Sequence, residues 1–290
     1  MLKRELNFSG DTPLLYFVAT PIGNLSEFSP RAIELLKNMD YVACEDTRNT
    51  GLLLQHFSLH IPLISCHEHN EETAADQILS LLKDGKKVAY ASDAGYPVIS
   101  DPGARLAKRA LDAGYKISVI NGPSACLCAL VGSGLPANHF YFYGFLDSKP
   151  SARKKELSAL ASFPDTMIFY EAPHRIHNTL SDMAIAFGED RAATLCRELT
   201  KTHEEYLRAT LGELAKIDAD TLLGEMVIVV AGCPKKETEI TDEEIIDSLQ
   251  DALIQSPSKE AIKKVSQTLN IPKNRVYALY LKCIKKEERK

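Results

Sequence analysis

The chain has 290 residues, 45% hydrophobic and 25% charged, the balance of a soluble globular protein with room for two or three domains. No apolar run is long enough to span a bilayer and no apolar signal core opens the chain, which argues against a helical membrane protein and predicts a cytoplasmic one. The net charge of −5 is uneven: residues 1–233 carry 22 Lys and Arg against 29 Asp and Glu, residues 234–255 carry 2 against 7, and residues 256–290 carry 10 against 3.

The first apolar run, Leu14–Ala19, is rich in aromatic and β-branched residues and predicts a buried strand. It empties through Thr20-Pro21-Ile22-Gly23-Asn24 into a segment where Ala32, Ile33, Leu35 and Leu36 fall at helical spacing. That is the placement of a phosphate-binding loop, but the glycines such a loop needs are missing. Strands follow at Tyr41–Cys44, Leu63–Ser65, Val88–Ser92 and Lys116–Ile120, with helices over Glu71–Lys83 and Ala104–Ala113. A turn at Asn121–Pro123 starts another helix, with Ser124 as N-cap, which Gly132, Gly134 and Pro136 end.

A second series of strands is predicted at Phe140–Phe145, Met167–Glu171, Ala193–Glu198, Tyr206–Thr210 and Met226–Ala231, with a helix over Arg175–Phe187. Strands and helices in alternation make this an α/β protein with helices on both faces of its sheets. Two α/β domains are expected, over 1–121 and 122–233, and Gly, Pro and charges at Gly232–Glu239 open a third segment, 234–290. That tail reads as helical: Ala261, Ile262, Val265 and Leu269 share one face, and Val276, Leu279, Tyr280 and Ile284 another beyond a turn at Asn270–Pro272. Two short helices joined in this way resemble a helix-turn-helix, with Lys273, Asn274 and Arg275 at the end that approaches nucleic acid. The basic excess suits a polyanion; a lysine-rich helical cap or a dimerisation element suits the same pattern.

There is no GxxxxGK(S/T), and GSGLPA at 132–137 closes a helix instead of linking strand to helix. His67-Glu68-His69 and the pair His174 and His177 lack partners at zinc spacing, so no metal is expected. Seven scattered cysteines without a CxxC pair predict reduced thiols. Four polar clusters each follow a strand: Thr20–Leu25, Ala91–Gly103, Tyr170–Arg175 and Arg197–Glu205. Ligands of open α/β sheets bind beyond the carboxyl ends of strands, so four such loops predict one cleft with several walls. In the second cluster Gly95 and Gly103 permit positive φ, Pro97 and Pro102 stiffen the loop, and Asp93 and Asp101 offer acceptors, which suits a polar organic ligand such as a nucleoside.

The stretches ATPIGNLSEFSPRAIELL, DYVACEDTRNTGLLLQHF, CHEHNE, SDAGYPVISDPG, NGPSACLCALVGSGLP, FYFYGFL, FYEAPHRI and RELTKTHEE occur in that order between about Leu15 and Arg208. As an ordered set they resemble the tetrapyrrole methylase superfamily of S-adenosylmethionine-dependent methyltransferases. Within it they look like the bacterial ribosomal RNA small subunit methyltransferase I family, which methylates the ribose 2′-hydroxyl of a cytidine in the decoding region of 16S rRNA. The resemblance implies two α/β/α domains with the cofactor cleft between them, a small C-terminal helical domain, a homodimer, S-adenosylhomocysteine as product, and 16S rRNA or the 30S subunit as substrate. It assigns the cofactor to Pro21, Ser92, Asp93, Ala94, Gly95, Val98, Ser124, Ala125, Tyr170, Glu198, Leu199 and Thr200. A pocket shaped by Pro and backbone groups then replaces a phosphate loop, since this cofactor has no phosphate. Tyr96, Ser26-Glu27-Phe28 and Ala209 depart from the family's usual residues.

A hydroxyl acceptor must lose a proton, and Glu45, Asp46, Glu68, His67 and Asp101 are the candidate bases. Asp46 equally suits a helix N-cap, and Glu68 and Glu71 the acidic first turn of a helix. Phosphate contacts are expected from Arg48, Arg153, Lys154, Lys155, Arg175, Lys273 and Arg275. A sister methylase acting on a tetrapyrrole or a protein side chain, and a non-catalytic RNA-binding protein of this fold, are the alternatives; the basic tail and EDTRNT weigh against the first, the intact loops against the second.

Overall fold

A computed structural model describes residues 6–7, 14–218, 221–234 and 240–284, without the side chains of 283 and 284. The ends of the predicted first and third domains, part of the Gly232–Glu239 boundary and the inward placing of Ile284 lie outside the described residues. Strands β1 (Leu14–Val18), β2 (Tyr41–Cys44), β3 (Leu63–Ser65), β4 (Val88–Ala91) and β5 (Lys116–Ile120) form a wholly parallel sheet in the order β3-β2-β4-β1-β5. Residues alternate between its faces, and both are covered. On one, Leu15, Phe17, Val88 and Tyr90 pack with Ala75, Ile78 and Leu82 of α3 (Glu71–Lys83) and Leu106 of α4 (Ala104–Asp112). On the other, Val18, Val42, Ala89 and Ile120 pack with Ala32 and Leu36 of α1 (Pro30–Leu36) and Leu54 of α2 (Thr47–His56).

β1 and β4 are neighbours, yet the chain leaves β1 toward α1 on one face and β4 toward α4 on the other. A crevice opens at the carboxyl ends of two strands whose connections diverge in this way. The turn after β1 and the loop after β4 meet there.

The second sheet is mixed. β6 (Phe140–Phe145) runs parallel to β7 (Thr166–Glu171), while β8 (Ala192–Arg197), β9 (Glu205–Thr210) and β10 (Met226–Val230) complete the order β6-β7-β10-β8-β9 in antiparallel pairs. One face carries α6 (Pro150–Leu160), α7 (Ile176–Phe187) and the short α8 (Leu211–Leu214); the other carries α5 (Ala125–Ser133). Ser124 caps α5 by accepting from Leu127 N, and Gly134, at φ 75°, ends it. Gly132, read from sequence as part of the stop, stays inside the helix, where its missing side chain leaves room for the Tyr206 ring of β9.

By compactness the chain divides at Cys233 and Pro234. The second unit holds α9 (Asp242–Gln255), α10 (Ser258–Thr268) and α11 (Lys273–Leu279), then a π-helical turn. α9 precedes the pair singled out in the sequence and opens with a Thr241–Glu244 capping box. Ile245, Leu249, Ala261, Ile262, Val265, Val276 and Leu279 make its core.

Candidate active site

The turn after β1 is stitched to the loop after β4. Thr20 N donates to Gly95 O at 2.9 Å and Gly95 N to Thr20 O at 3.1 Å. Thr20 Oγ1 donates to Ser92 O at 3.0 Å and Ser92 Oγ to Gly95 O at 2.6 Å, with both hydroxyls buried. Tyr96 ties in a third loop: its hydroxyl meets Asn121 Oδ1 and accepts from Gly122 N at 3.3 Å. The far end of the loop is fixed by Glu71, whose buried carboxylate accepts from Gly103 N (3.1 Å), Arg105 N (2.9 Å) and Leu106 N (3.2 Å). Glu71 stands in the first turn of α3 but satisfies the first N–H groups of α4.

These loops and the ends of the second sheet enclose a cavity of about 390 Å³. Ile22, Ala94, Gly95, Tyr96, Ile99, Ser100, Asp101, Ser124 and Ala125 form one side; Phe145, Tyr170, Glu171, Ala172, Pro173, Leu199, Glu225, Met226 and Val227 form the other. Lysine, arginine and histidine are absent from this lining. Two of its three carboxylates have partners. Glu171 accepts from Thr179 Oγ1 at 2.6 Å and lies 3.0 Å from Arg175 Nε, and Glu225 lies 2.8 Å from Lys201 Nζ. The third, Asp101, has no side-chain hydrogen bond among the described residues.

Burial, and then the charges of Glu45 and Asp93, push the Asp101 carboxyl up to about 7. Glu45, at the end of β2, is raised by burial and by Asp93. Asp46 goes the other way: it caps α2 by accepting from Arg48 N at 2.8 Å, and the Arg48 guanidinium holds it at about 2. A carboxylate so stabilised is a poor proton acceptor near neutral pH. His67 and Glu68 follow β3 and line neither this cavity nor the smaller one beside it.

The smaller cavity, about 280 Å³, is lined by Pro21, Gly23, Leu25, Asn49, Thr50, Leu52, Leu53, Ser92 and Asp93. Asp93 is already engaged there, accepting from Asn49 Nδ2 at 2.8 Å and Asp46 N at 3.3 Å. Gly23, at φ 134°, lets Lys201 cross it: a Cβ would stand 2.5 Å from Lys201 Cγ. Backbone strain collects around the site, with Val98 (φ 76°), Ser100 (φ 62°), Glu198 (φ 50°) and Thr200 (φ 68°) all left-handed. Thr200 Oγ1 and Thr50 Oγ1 are buried without a hydrogen-bond partner among the described residues.

Of the twelve residues the resemblance gives to the cofactor, Ala94, Gly95, Ser124, Ala125, Tyr170 and Leu199 line the larger cavity, and Pro21, Ser92 and Asp93 the smaller. Val98, Glu198 and Thr200 stand in the strained flanking loops. Met226 and Val227 escaped the sequence reading because a strand that is buried throughout gives its wall residues the same apolar signature as its core. The hold of Glu71 on the start of α4 and the orphaned hydroxyl of Thr50 carry no sequence signal either, since the partners are far along the chain or missing.

The cationic residues separate. Arg48, Lys154, Lys155 and Lys273 are exposed. Arg153 is a correction: it is 4% exposed, its Nη2 2.7 Å from Asp182 Oδ2, so burial withdraws it from any phosphate. Arg175 donates to Leu146 O and Asp147 O, and Arg275 to Ile240 O and Asp242 Oδ1, so both serve to hold loops and helices. No helix among the described residues is long and apolar enough to cross a membrane, and no group of His, Cys, Asp and Glu there is arranged to hold a metal ion.

A parallel sheet and a mixed sheet enclose a cation-free cavity between their strand ends, and residues 14–215 match the family model of the tetrapyrrole (corrin/porphyrin) methylases. The chain belongs to that family. Its fold is that of a solved uroporphyrin-III-C-methyltransferase from Thermus thermophilus, which is 17% identical, with a TM-score of 0.54, and covers 75% of this chain and 94% of its own. Over nearly its full length the chain is similar to two curated proteins, each named ribosomal RNA small subunit methyltransferase I. The Bacillus subtilis (strain 168) protein is 43% identical over 97% of this chain and 99% of its own length. The Escherichia coli O157:H7 protein is 40% identical over 95% of this chain and 97% of its own.

Proposed function

We propose that this protein is an S-adenosylmethionine-dependent methyltransferase that modifies the ribose 2′-hydroxyl of a cytidine in the decoding region of 16S rRNA, leaving S-adenosylhomocysteine. The observation that carries the reading is the larger cavity, whose apolar walls, three carboxylates and lack of any cation suit a positively charged sulfonium nucleoside and disfavour a phosphate-bearing cofactor. Thr50, on the wall of the smaller cavity beside it, keeps an orphaned hydroxyl that a polar group reaching that cavity would satisfy. Ala94, Gly95, Ser124, Ala125, Tyr170 and Leu199 would hold the cofactor, with Glu198 and Thr200 beside them. The full-length relatives, named for small-subunit ribosomal RNA, supply the acceptor class.

S-adenosylmethionine supplies a methyl group that its positive sulfur already makes electrophilic. The protein must align the acceptor hydroxyl with it, a contribution of about 7–11 kcal/mol, and remove the hydroxyl proton. Asp101 is the residue suited to removing that proton. It faces the cavity, its carboxylate has no partner to lose, and burial, with Glu45 and Asp93, raises its basicity toward neutral pH. A carboxylate oxygen of Asp101 would accept the proton of the 2′-hydroxyl, while the bound cofactor would give up its methyl group to that oxygen, its sulfur–methyl bond breaking to leave S-adenosylhomocysteine. Arg48, Lys154, Lys155 and the tail lysines would engage RNA phosphates.

A homodimer belongs to the same reading. α5 turns Leu127 (50% exposed) and Val131 (79% exposed), four residues apart, away from the sheet its opposite face covers. A helix that is apolar all round wants a partner on both sides, and a second copy would supply one.

The test is to incubate the full chain with labelled S-adenosylmethionine and 30S subunits from cells lacking the corresponding gene, then map the label. A ribose 2′-O-methyl on a 16S cytidine is the expected result. Cofactor binding without transfer to RNA would overturn the acceptor assignment and direct the search to tetrapyrroles and proteins.

A further inference from the structure

The helical unit has its own groove, of about 580 Å³, between the first turns of α10 and α11. Its rim carries Lys259 and Lys273, neither in an ion pair among the described residues. Arg275, two residues from Lys273, is by contrast spent on Asp242. Asn274 also lines the groove; its Oδ1 accepts from Arg275 N at 3.1 Å, which leaves its amide N–H groups as free donors. Tyr277 stands on the wall, 51% exposed and without a hydrogen bond among the described residues. Tyr280 is buried behind it and donates to Ser258 Oγ at 2.9 Å, which ties the end of α11 to the start of α10.

The free polar groups of this groove are two lysine cations, the Asn274 amide N–H groups and hydroxyls that can donate as well as accept; no carboxylate lines it, and one aromatic face is open. We infer that the groove binds a single-stranded RNA segment, with a base stacked on Tyr277 and the flanking phosphates on Lys259 and Lys273. The choice of RNA rests on the ribosomal substrate proposed above; the stacking mode does not. A duplex buries its base faces inside its own stack and has nothing to offer Tyr277, whereas an unstacked strand offers both ring faces and phosphates. This differs from the usual docking of a helix-turn-helix, in which the start of the second helix reads a duplex groove. An acidic peptide would satisfy the lysines but leave the ring unused.

The test measures binding of the full-length chain to a short fluorescent single-stranded RNA, with a duplex of the same sequence and poly-glutamate as competitors. Tyr277→Ala is expected to weaken single-strand binding about 5- to 100-fold, while Tyr277→Trp retains it. Lys259→Gln with Lys273→Gln should reduce the slope of log affinity against log salt by about 1.4, two phosphates on a single strand. Equal binding of Tyr277→Ala, preference for the duplex, or competition by poly-glutamate at matched charge would overturn the inference. Cofactor binding by each variant, expected unchanged, reports on folding. If the chain transfers no methyl group to RNA yet shows these effects, the proposed reaction fails and the groove assignment stands.

Discussion

At the scale of single residues, the site turns on Asp101. Asp101→Asn keeps the shape of the side chain and removes the proton acceptor, so kcat for methyl transfer should fall about 10²- to 10⁴-fold, far more than the cofactor affinity measured by calorimetry. In the intact protein only the ionised carboxylate accepts a proton, so kcat should rise with pH through about 7 and then level. Glu45→Gln removes a negative neighbour, which lowers the Asp101 pKa and moves that limb to lower pH. The same shift has a stability consequence. A carboxyl raised from 3.8 to about 7 on folding contributes stability that is fully present below 3.8 and lost as pH rises through 7. Asp101→Asn should therefore melt about 2–4 °C higher than the parent at pH 8 and show no such gain below pH 4. Sequence reading placed Asp101 among five candidate bases and had no means to choose. The choice depends on which carboxyl stands unpartnered on the cavity wall, and that is set by β2, β4 and the loop after β4 meeting across the sheet.

At the scale of elements, local chemistry was legible and long-range capping was not. The strands over Tyr41–Cys44, Lys116–Ile120 and Phe140–Phe145 coincide with the predicted ones because short apolar runs bounded by turn residues have little alternative. Ser124 was visible as the cap of the helix it opens, since cap and helix are contiguous. Glu71 was read as the acidic start of α3, and only the fold brings it to the N–H groups of α4, more than 30 residues on. Glu71→Ala should cost about 2–3 kcal/mol in a denaturant melt, since it strands three backbone donors, and should loosen cofactor binding through the Ser92–Gly103 loop. On α5, Val131→Asp puts a charge on the outward apolar face; light scattering should then find the proposed dimer reduced to a monomer, with far-ultraviolet circular dichroism unchanged.

At the scale of the whole molecule, the two compact units have separate cores and separate cavities. Removing residues 234–290 should leave cofactor affinity within about twofold, because none of the cavity's lining lies there, but weaken RNA binding and flatten its salt dependence. An unchanged salt slope would mean that RNA phosphates are bound elsewhere on the chain. The acidic balance of residues 1–233 makes this division of labour physically reasonable: a negative body gains from a basic arm when its substrate is a polyanion.

The sequence by itself determined the alternation of strands and helices, the helical basic tail and the four polar loops, because hydrophobic periodicity, turn residues and charge act over a few neighbouring positions. It also determined the family, since an ordered set of loop motifs is specific even where each is weak. Tertiary structure alone decided that β1 and β4 lie side by side and send their chains to opposite faces. It decided that Arg153 is buried against Asp182 and that Glu71 caps a helix other than its own. It also left Asp101 unpartnered beside two other carboxyls. Each of these depends on which distant segments share a surface, and burial, pairing and proton affinity all follow from that company.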